Sequence, residues 1–399
     1  MGNKTILDVS ESVKWIGVLD YNLATFDVVM ETKFGTTYNS YFIKADKKTI
    51  VETVKDKFWN EYEAKLRQLT NPEEIEYIIL NHTEPDHSGS VSQLIEIAPN
   101  ATIVGTGNAI RYLNDLIHRP FKSIQVKDGM ELDLGNKKIR FISAPNLHWP
   151  DSMYTYLEEE NVLFTCDSFG AHYAEDLMFD DLVENYDESF NYYFDVILKP
   201  FSKFMLSAIE KIRPLHIKAI CPGHGPILRS NWKRYVDMSE QLAKEALEKP
   251  AKKIVFIPYV SAYHKSGFIA EAIARGVEKS GKIEASTLDI EHTELGEIDS
   301  KIAMASGLII GCPTINQNIL LPIYRLFAVV NPIRDKGKLA GAFGSYGWSG
   351  EAQKLISSNL INLKLNYIEG NLFFKFSPSE SELAIAEAYG EQIAQRLTE

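Results

Sequence analysis

Four apolar residues, Tyr77-Ile78-Ile79-Leu80, run straight into Asn81-His82-Thr83-Glu84-Pro85-Asp86-His87-Ser88-Gly89. A buried strand that ends in a loop of imidazoles and carboxylates constrains the fold more than any other stretch of the chain. Such groups are costly to bury unless they are paired or hold a cation. In an extended segment alternate side chains point the same way, so His82, Glu84 and Asp86 are expected to converge, with His87 turned toward a second centre. More candidates sit at the ends of later apolar runs. His148 lies in Asn146-Leu147-His148-Trp149-Pro150-Asp151, Asp167 follows Val162 to Cys166, and His224 lies in Cys221-Pro222-Gly223-His224-Gly225-Pro226. A lone histidine at a strand end is ordinarily a hydrogen-bonded or surface residue, and a lone Asp167 an ordinary turn residue. Clustering within 82–87, with every other candidate also beyond a strand, favours a metal centre.

The first 250 residues read as short strands with interspersed helices. Strands are expected over Val13 to Asp20, Tyr41 to Ala45, Ile75 to Leu80, Thr102 to Gly105, Lys138 to Ala144, Met153 to Leu157, Val162 to Cys166 and Lys218 to Cys221. Helical periodicity covers Phe58 to Leu69, Ala109 to His118 and Phe194 to Ile212. Two packed sheets flanked by helices follow from this pattern. The texture changes at 248–253, where a charged helix is expected to end at Pro250, which divides the chain into domains 1–250 and 251–399. Ile254 to Val260 is a continuous apolar run of the buried parallel type. Strands at 254–260, 283–288, 307–311, 338–344 and 363–368 then alternate with helices, the last near 379–397. That is the pattern of a doubly wound, five-stranded parallel domain of flavodoxin-like type.

Composition narrows the partners. Lys plus Arg number 42 against 54 Asp plus Glu, a net charge of −12, which argues against nucleic acid or an anionic membrane as the main partner. The most apolar stretch, Ile319 to Val330, is interrupted by Pro322, Tyr324 and Arg325, short of the run of about 20 residues a spanning helix needs. The start lacks an apolar signal core, and although Gly2 is present, Ile6 occupies the Ser/Thr position of an acylation signal. Three cysteines, Cys166, Cys221 and Cys312, make no disulfide framework; Cys166 and Cys221 read as packing residues. The expectation is a soluble cytoplasmic protein.

Three loops of the C-terminal half point to a phosphate-bearing ligand. Ser261-Ala262-Tyr263-His264-Lys265-Ser266-Gly267 precedes a helix, whose N-terminal N–H groups and dipole favour an anion. It is neither a Walker loop nor a dinucleotide fingerprint. Beyond the third and fourth strands lie Gly311-Cys312-Pro313-Thr314-Ile315-Asn316-Gln317-Asn318 and Gly344-Ser345-Tyr346-Gly347-Trp348-Ser349-Gly350. Open parallel sheets bind ligands beyond the carboxyl ends of their strands. Ser261, Tyr263, His264, Lys265, Ser266, Pro313, Thr314, Ile315, Asn316, Ser345, Tyr346, Gly347 and Trp348 are therefore candidate cofactor contacts. Tyr346 and Trp348 could flank a flavin ring; Trp348 could equally pack within its own loop.

The residues from His82 to His224 resemble the metallo-β-lactamase fold, whose signature H-x-H-x-D-H becomes H-x-E-x-D-H here. Its αββα sandwich is then the expected N-terminal architecture. On that resemblance, His82, Glu84 and His148 form one metal position, Asp86, His87 and His224 a second, and Asp167 bridges them. Two histidines with a carboxylate suit non-haem iron, whereas zinc is the usual metal of the fold. The order of the two domains resembles the flavodiiron proteins (A-type flavoproteins), in the minimal class without a fused rubredoxin or flavin reductase. The resemblance covers essentially the whole chain. It implies FMN, two irons, reduction of O2 to water or of NO to N2O, and a head-to-tail homodimer, with a homotetramer also compatible. Rubredoxin, another small carrier or coenzyme F420 would supply electrons. His264-Lys265-Ser266 is bulkier and more basic than the family's small-residue phosphate loop, and its cation would help to hold phosphate. His172 and Tyr193 are candidates for roles beside the metals, as donors to bound substrate, or else structural hydrogen-bonding residues. The rival readings are a zinc hydrolase of glyoxalase II or lactonase type with an appended flavin domain, and an electron-transfer module whose metal half is only scaffold. Glu84 in place of histidine weighs against the first and the complete ligand set against the second.

Overall fold

The computed structural model describes residues 5–26, 30–248 and 252–399. The chain separates into two compact units, Met1–Glu248 and Lys249–Glu399. The residue read for acylation, Gly2, and the helix end expected at Pro250 lie outside the described residues.

The first unit is built on two sheets. One has seven strands in the order Leu7–Asp8, Val13–Trp15, Tyr41–Ile43, Lys48–Val51, Ile75–Ile79, Thr102–Gly105 and Ser123–Gln125. The other has five, in the order Glu131–Asp133, Lys138–Ser143, Met153–Leu157, Val162–Cys166 and Ala219–Pro222. Their inner faces share one core, where Trp15, Tyr41, Val51 and Ile79 meet Phe141, Met153 and Phe164. Each sheet is covered outside by helices. Tyr62, Leu66 and Leu113 pack on Phe42, Ile50 and Ile78, and Met205, Ile209 and Ala243 pack on the side of Tyr154 and Leu163. This is why Met153–Leu157 and Val162–Cys166 are buried at every residue instead of alternating. With roughly 1.5–3 kcal/mol gained per large apolar side chain fully buried, the αββα sandwich holds its strand ends rigidly.

Two expectations need correction in this unit. The run Val13 to Asp20 is not one strand. Val13–Trp15 joins the seven-stranded sheet and Val18–Asp20 pairs with Thr36–Tyr38. The break falls at Gly17, where a Cβ would sit 2.4 Å from the Tyr38 carbonyl oxygen, so only glycine allows the crossing. The helix expected from Phe194 to Ile212 begins earlier and is segmented into Asp187–Tyr193, a π turn Phe194–Leu198, a 3-10 turn Lys199–Phe201 and Ser202–Ile212. Pro200, which lacks an N–H, accounts for the interruption.

The second unit is a parallel sheet in the order Ile283–Asp289, Lys253–Tyr259, Gly307–Gly311, Leu339–Tyr346 and Asn366–Tyr367, with Leu372–Lys375 also paired to Leu339–Tyr346. In chain order this is 2-1-3-4-5, the flavodoxin-like winding, which puts the switch point beside the first strand. The fifth strand, expected over 363–368, is split. Asn371 has a φ of 48° and Gly370 packs against Tyr389, so the chain leaves the sheet and re-enters at Leu372. The final helix, Glu380–Thr398, starts with a capping box between Ser379 and Glu382. Among the described residues, no helix is long and apolar enough to cross a membrane.

Candidate metal centre and flavin loops

The Ile75–Ile79 strand lies between Lys48–Val51 and Thr102–Gly105, so its carboxyl end is fixed from both sides. The loop that follows is tied down at its root: Asn81 N–H donates to Glu52 Oε1 at 2.7 Å, and the Asn81 carbonyl accepts from Met153 N–H at 2.9 Å. Beyond Glu84 the segment is not extended. Pro85–Ser88 is a helical turn with proline in its first turn. Asp86 therefore does not converge with His82 and Glu84 as strand alternation had suggested, but swings to the side of His87.

Two donor groups result. His82, Glu84, His148 and Asp167 offer one ligand atom each within 4.8 Å of one another, and so do Asp86, His87 and His224. Glu84 Oε2 lies 3.2 Å from His82 Nε2 and 2.9 Å from His148 Nε2. Asp86 Oδ2 lies 3.1 Å from His224 Nε2 and 3.5 Å from His87 Nε2. Asp167 faces both groups, with Oδ1 3.1 Å from His87 Nε2 and Oδ2 3.5 Å from His82 Nε2. The glycine of Pro222-Gly223-His224 has a local reason, since a Cβ there would come within 2.6 Å of His87 Cε1.

The donor set fits cations. His224 Nδ1 lies 2.6 Å from the Thr37 carbonyl, which can only accept, so Nδ1 carries a proton and Nε2 is the ring atom turned toward Asp86 and Asp167. Both oxygens of Asp86, and Oδ2 of Asp167, are buried with no hydrogen-bond partner among the described residues. Carboxylate oxygens gathered in a dry site require positive charge between them. Protonation behaves accordingly. Burial opposes a charge on His87, but Asp86 and Asp167 overcome it and push the imidazole up to about 10. Burial likewise opposes a charge on His82, yet its contacts with Asp151 and Glu84 hold it well above the usual range. Asp167 is held well below the carboxylate range, burial being outweighed by His87 and His82.

The surrounding shell holds residues to which the sequence motifs gave no role. Asp151 accepts from Thr83 N–H at 2.8 Å and lies 3.2 Å from His82 Nδ1. Glu52 sits behind the loop, and burial, opposed by His87 and the Asn81 N–H, pushes its carboxyl up to about 8. The signals available were the acid directly after His148-Trp149-Pro150 and the acid directly after an apolar strand. Tyr193 donates to Asp167 Oδ1 at 3.1 Å. His172 pairs through Nδ1 with Thr36 Oγ1 at 2.9 Å, stacks on Phe26 and buries an Nε2 that has no partner among the described residues; burial holds it well below its usual range, so it is neutral. Both are buried, at 1% and 3% exposure. Cys166 and Cys221 are buried, and burial pushes both thiols well up.

In the second unit the three loops leave the carboxyl ends of neighbouring strands. The helix Lys265–Glu278 starts at His264, which has a φ of 59°. Ser266 N–H donates to Ser261 Oγ at 3.1 Å, while the buried Ser266 hydroxyl has no partner among the described residues. Asn316 and Gln317 both have positive φ, forming a tight turn closed by Ile315 and Asn318. Pro313 precedes Thr314, whose N–H donates to the Ser345 carbonyl at 2.8 Å, so the second and third loops are laced together. Ser345 is buried, Tyr346 half-buried, and Tyr263 and Trp348 are 79% and 76% exposed. Trp348 therefore does not pack within its own loop. Phe376, unnoticed in the sequence, is also exposed and lies beside Gly347.

Residues 36–225 match the model of the ODP family beta lactamase. The chain is 39% identical to the type A flavoprotein FprA of Rhodobacter capsulatus, covering 98% of this chain and 91% of that protein. It is 34% identical to the flavo-diiron protein FprA2 of Clostridium acetobutylicum, over 98% and 99% of the two chains. Rubredoxin oxygen:oxidoreductase from Desulfovibrio gigas superposes with a TM-score of 0.76 at 27% identity, over 99% of each chain. Two converging donor groups on a lactamase-type sandwich, a flavodoxin-like sheet and full-length identity of this order lead to one conclusion: the chain belongs to the flavodiiron, or type A flavoprotein, family.

Proposed function

We propose that this chain is an FMN-fed diiron oxidoreductase that reduces O2 to water, NO to N2O, or both. As a flavodiiron protein it carries FMN and a non-haem diiron centre. The observation that carries the reading is the division of seven side chains into two donor groups with Asp167 facing both. His82, Glu84 and His148 would hold one iron, Asp86, His87 and His224 the other, and Asp167 would bridge them. When bound, two ferrous ions and reduced FMN supply four electrons, the number that takes O2 to two waters, whereas coupling two NO to N2O needs two. The remaining chemistry belongs to the chain. Tyr193 holds the bridging carboxylate in orientation, and the apolar stack of Phe26 on His172 keeps water from that side. His148 and Glu84, at 20% and 13% side-chain exposure, are the open edge of a site otherwise buried, and substrate enters there. Ser261, His264, Lys265 and Ser266 would hold the FMN phosphate, with Tyr346 and Trp348 against the ring and Pro313 to Asn316 at its polar edge. Family membership sets aside the hydrolase reading.

Electrons would come from a rubredoxin-like carrier or a deazaflavin such as F420, and a head-to-tail homodimer would bring the FMN of one subunit to the irons of the next. Anaerobic stopped-flow mixing of reduced protein with O2 and, separately, NO tests the proposal. Fast reoxidation to water marks an oxygen reductase and rapid N2O formation a nitric oxide reductase. Inertness to both gases would overturn the reading.

A further inference from the structure

Glu52 directly follows the Lys48–Val51 strand, is 2% exposed and has a φ of 60°, a conformation rare for residues with side chains. Its backbone is pinned, the N–H donating to the Ile79 carbonyl at 2.9 Å and the carbonyl accepting from Ser40 Oγ at 2.7 Å. The side chain is thereby held under the His82 to Gly89 loop. There Oε1 accepts the Asn81 N–H at 2.7 Å, while Oε2 has no partner among the described residues. His87 carries the complementary orphan. Its Nε2 lies 3.1 Å from Asp167 Oδ1, but its Nδ1 is buried and unpartnered among the described residues. A carboxylate oxygen of Glu52, a ring nitrogen of His87 and Cys166 Sγ all lie within 4.8 Å of one another.

We infer that Glu52 is a positioning residue for the metal centre: its Oε2 accepts a hydrogen bond from His87 Nδ1–H and so fixes the tautomer that presents Nε2 to the metal. The inference rests on reading His87 as a ligand. A ring that ligates through Nε2 must carry its proton on Nδ1, and a buried N–H without an acceptor is strongly disfavoured. Two other ligand histidines already have acceptors at that atom. His82 Nδ1 lies 3.2 Å from Asp151, and His224 Nδ1 donates to the Thr37 carbonyl. Glu52 completes the pattern: a cation held beyond His87 favours the ionised carboxyl, and a carboxylate acceptor also makes the imidazole a stronger ligand. One side chain then secures the loop at two points, at its root through Asn81 and at its far ligand through His87.

Glu52→Gln separates these roles. The amide keeps a carbonyl acceptor for the Asn81 N–H, which fixes its orientation, and turns an NH2 donor toward the His87 N–H. Anaerobic iron titration of the full chain, with the electron paramagnetic resonance spectrum of the iron-loaded protein, reads the effect. FMN content and thermal unfolding report whether the fold is kept. One of the two irons is expected to bind about 10–100-fold more weakly, with an altered spectrum and unchanged FMN content. Two irons at wild-type affinity with an unchanged spectrum would overturn the inference alone. Wild-type protein that holds no metal pair would overturn the reading of the site and the inference with it. Should the variant not fold, nuclear magnetic resonance of zinc-loaded wild-type protein decides. A downfield, slowly exchanging Nδ1 proton on His87 is expected, and a rapidly exchanging one counts against it.

Discussion

In the first unit the candidate ligands are finished by the fold: His82, Asp86, His87, Asp167 and His224 are 0–4% exposed, and neighbours already fix several of them. In the second unit the candidate flavin contacts are partly unfinished, with Tyr263 and Trp348 mostly exposed and the Ser266 hydroxyl unpartnered among the described residues. The contrast follows from what each ligand is. A small cation offers no surface of its own, so its donors must converge beforehand, and misplacing one loses most of the binding. A large planar cofactor brings apolar area and a phosphate, so loops can be completed by it, at the entropic cost of ordering them. Substitutions in the first unit should therefore act steeply on metal and barely on flavin, and those in the second more gently and only on flavin.

The largest effect is expected at Asp167, the proposed bridge. Asp167→Ala should take iron content from two per chain toward none with FMN retained, as metal analysis and flavin absorbance would read; a variant keeping both irons breaks the comparison. Asp151→Asn should be milder, because it removes support from His82 without removing a ligand. About 10–100-fold weaker iron binding is expected, checked by competition with a chelator. Trp348→Ala tests the other side. Losing one aromatic face, worth about 0.5–1.5 kcal/mol, should weaken FMN about 2–12-fold by fluorescence titration, with iron content unchanged.

The smallest effect separates the sandwich from its site. Glu160 accepts from Ser10 and Ser12 and pairs with Lys137. Burial alone would raise its carboxyl, but the Lys137 and serine contacts bring it down to about 2. A carboxylate depressed in the folded state contributes stability above its ordinary value, and that contribution disappears as pH falls through about 2. Glu160→Gln should therefore lower the unfolding temperature at neutral pH and converge with wild type in strong acid, with iron and FMN contents unchanged at neutral pH. An equal difference at every pH would mean that the charge is not what matters.

Much of this was legible in the residues. Tyr77 to Leu80 had to be a buried strand, and imidazoles with carboxylates directly after it had to meet a cation or one another. The apolar run from Ile254 and the regular alternation beyond it could only be a parallel sheet covered on both faces. Strand and helix ends were less legible where backbone sterics decided them. Gly17 reads as a strand residue until the Tyr38 carbonyl is placed against it, and Pro85 reads as part of an extended loop until it starts a helical turn that swings Asp86 away from Glu84. Periodicity reports which face is apolar, not what backbone lies across from it.

The sequence by itself determined the chemistry: which groups are present, on which side of which strand, and in what order along the chain, because residue type and local period are properties of the chain alone. Only the tertiary structure decided the pairing. That Asp167 faces both donor groups, that Asp151 backs His82, and that Glu52 and His87 are left with complementary atoms unpartnered among the described residues all depend on approaches between residues 35 to 85 positions apart. Those distances are set by sheet packing, which no local pattern encodes.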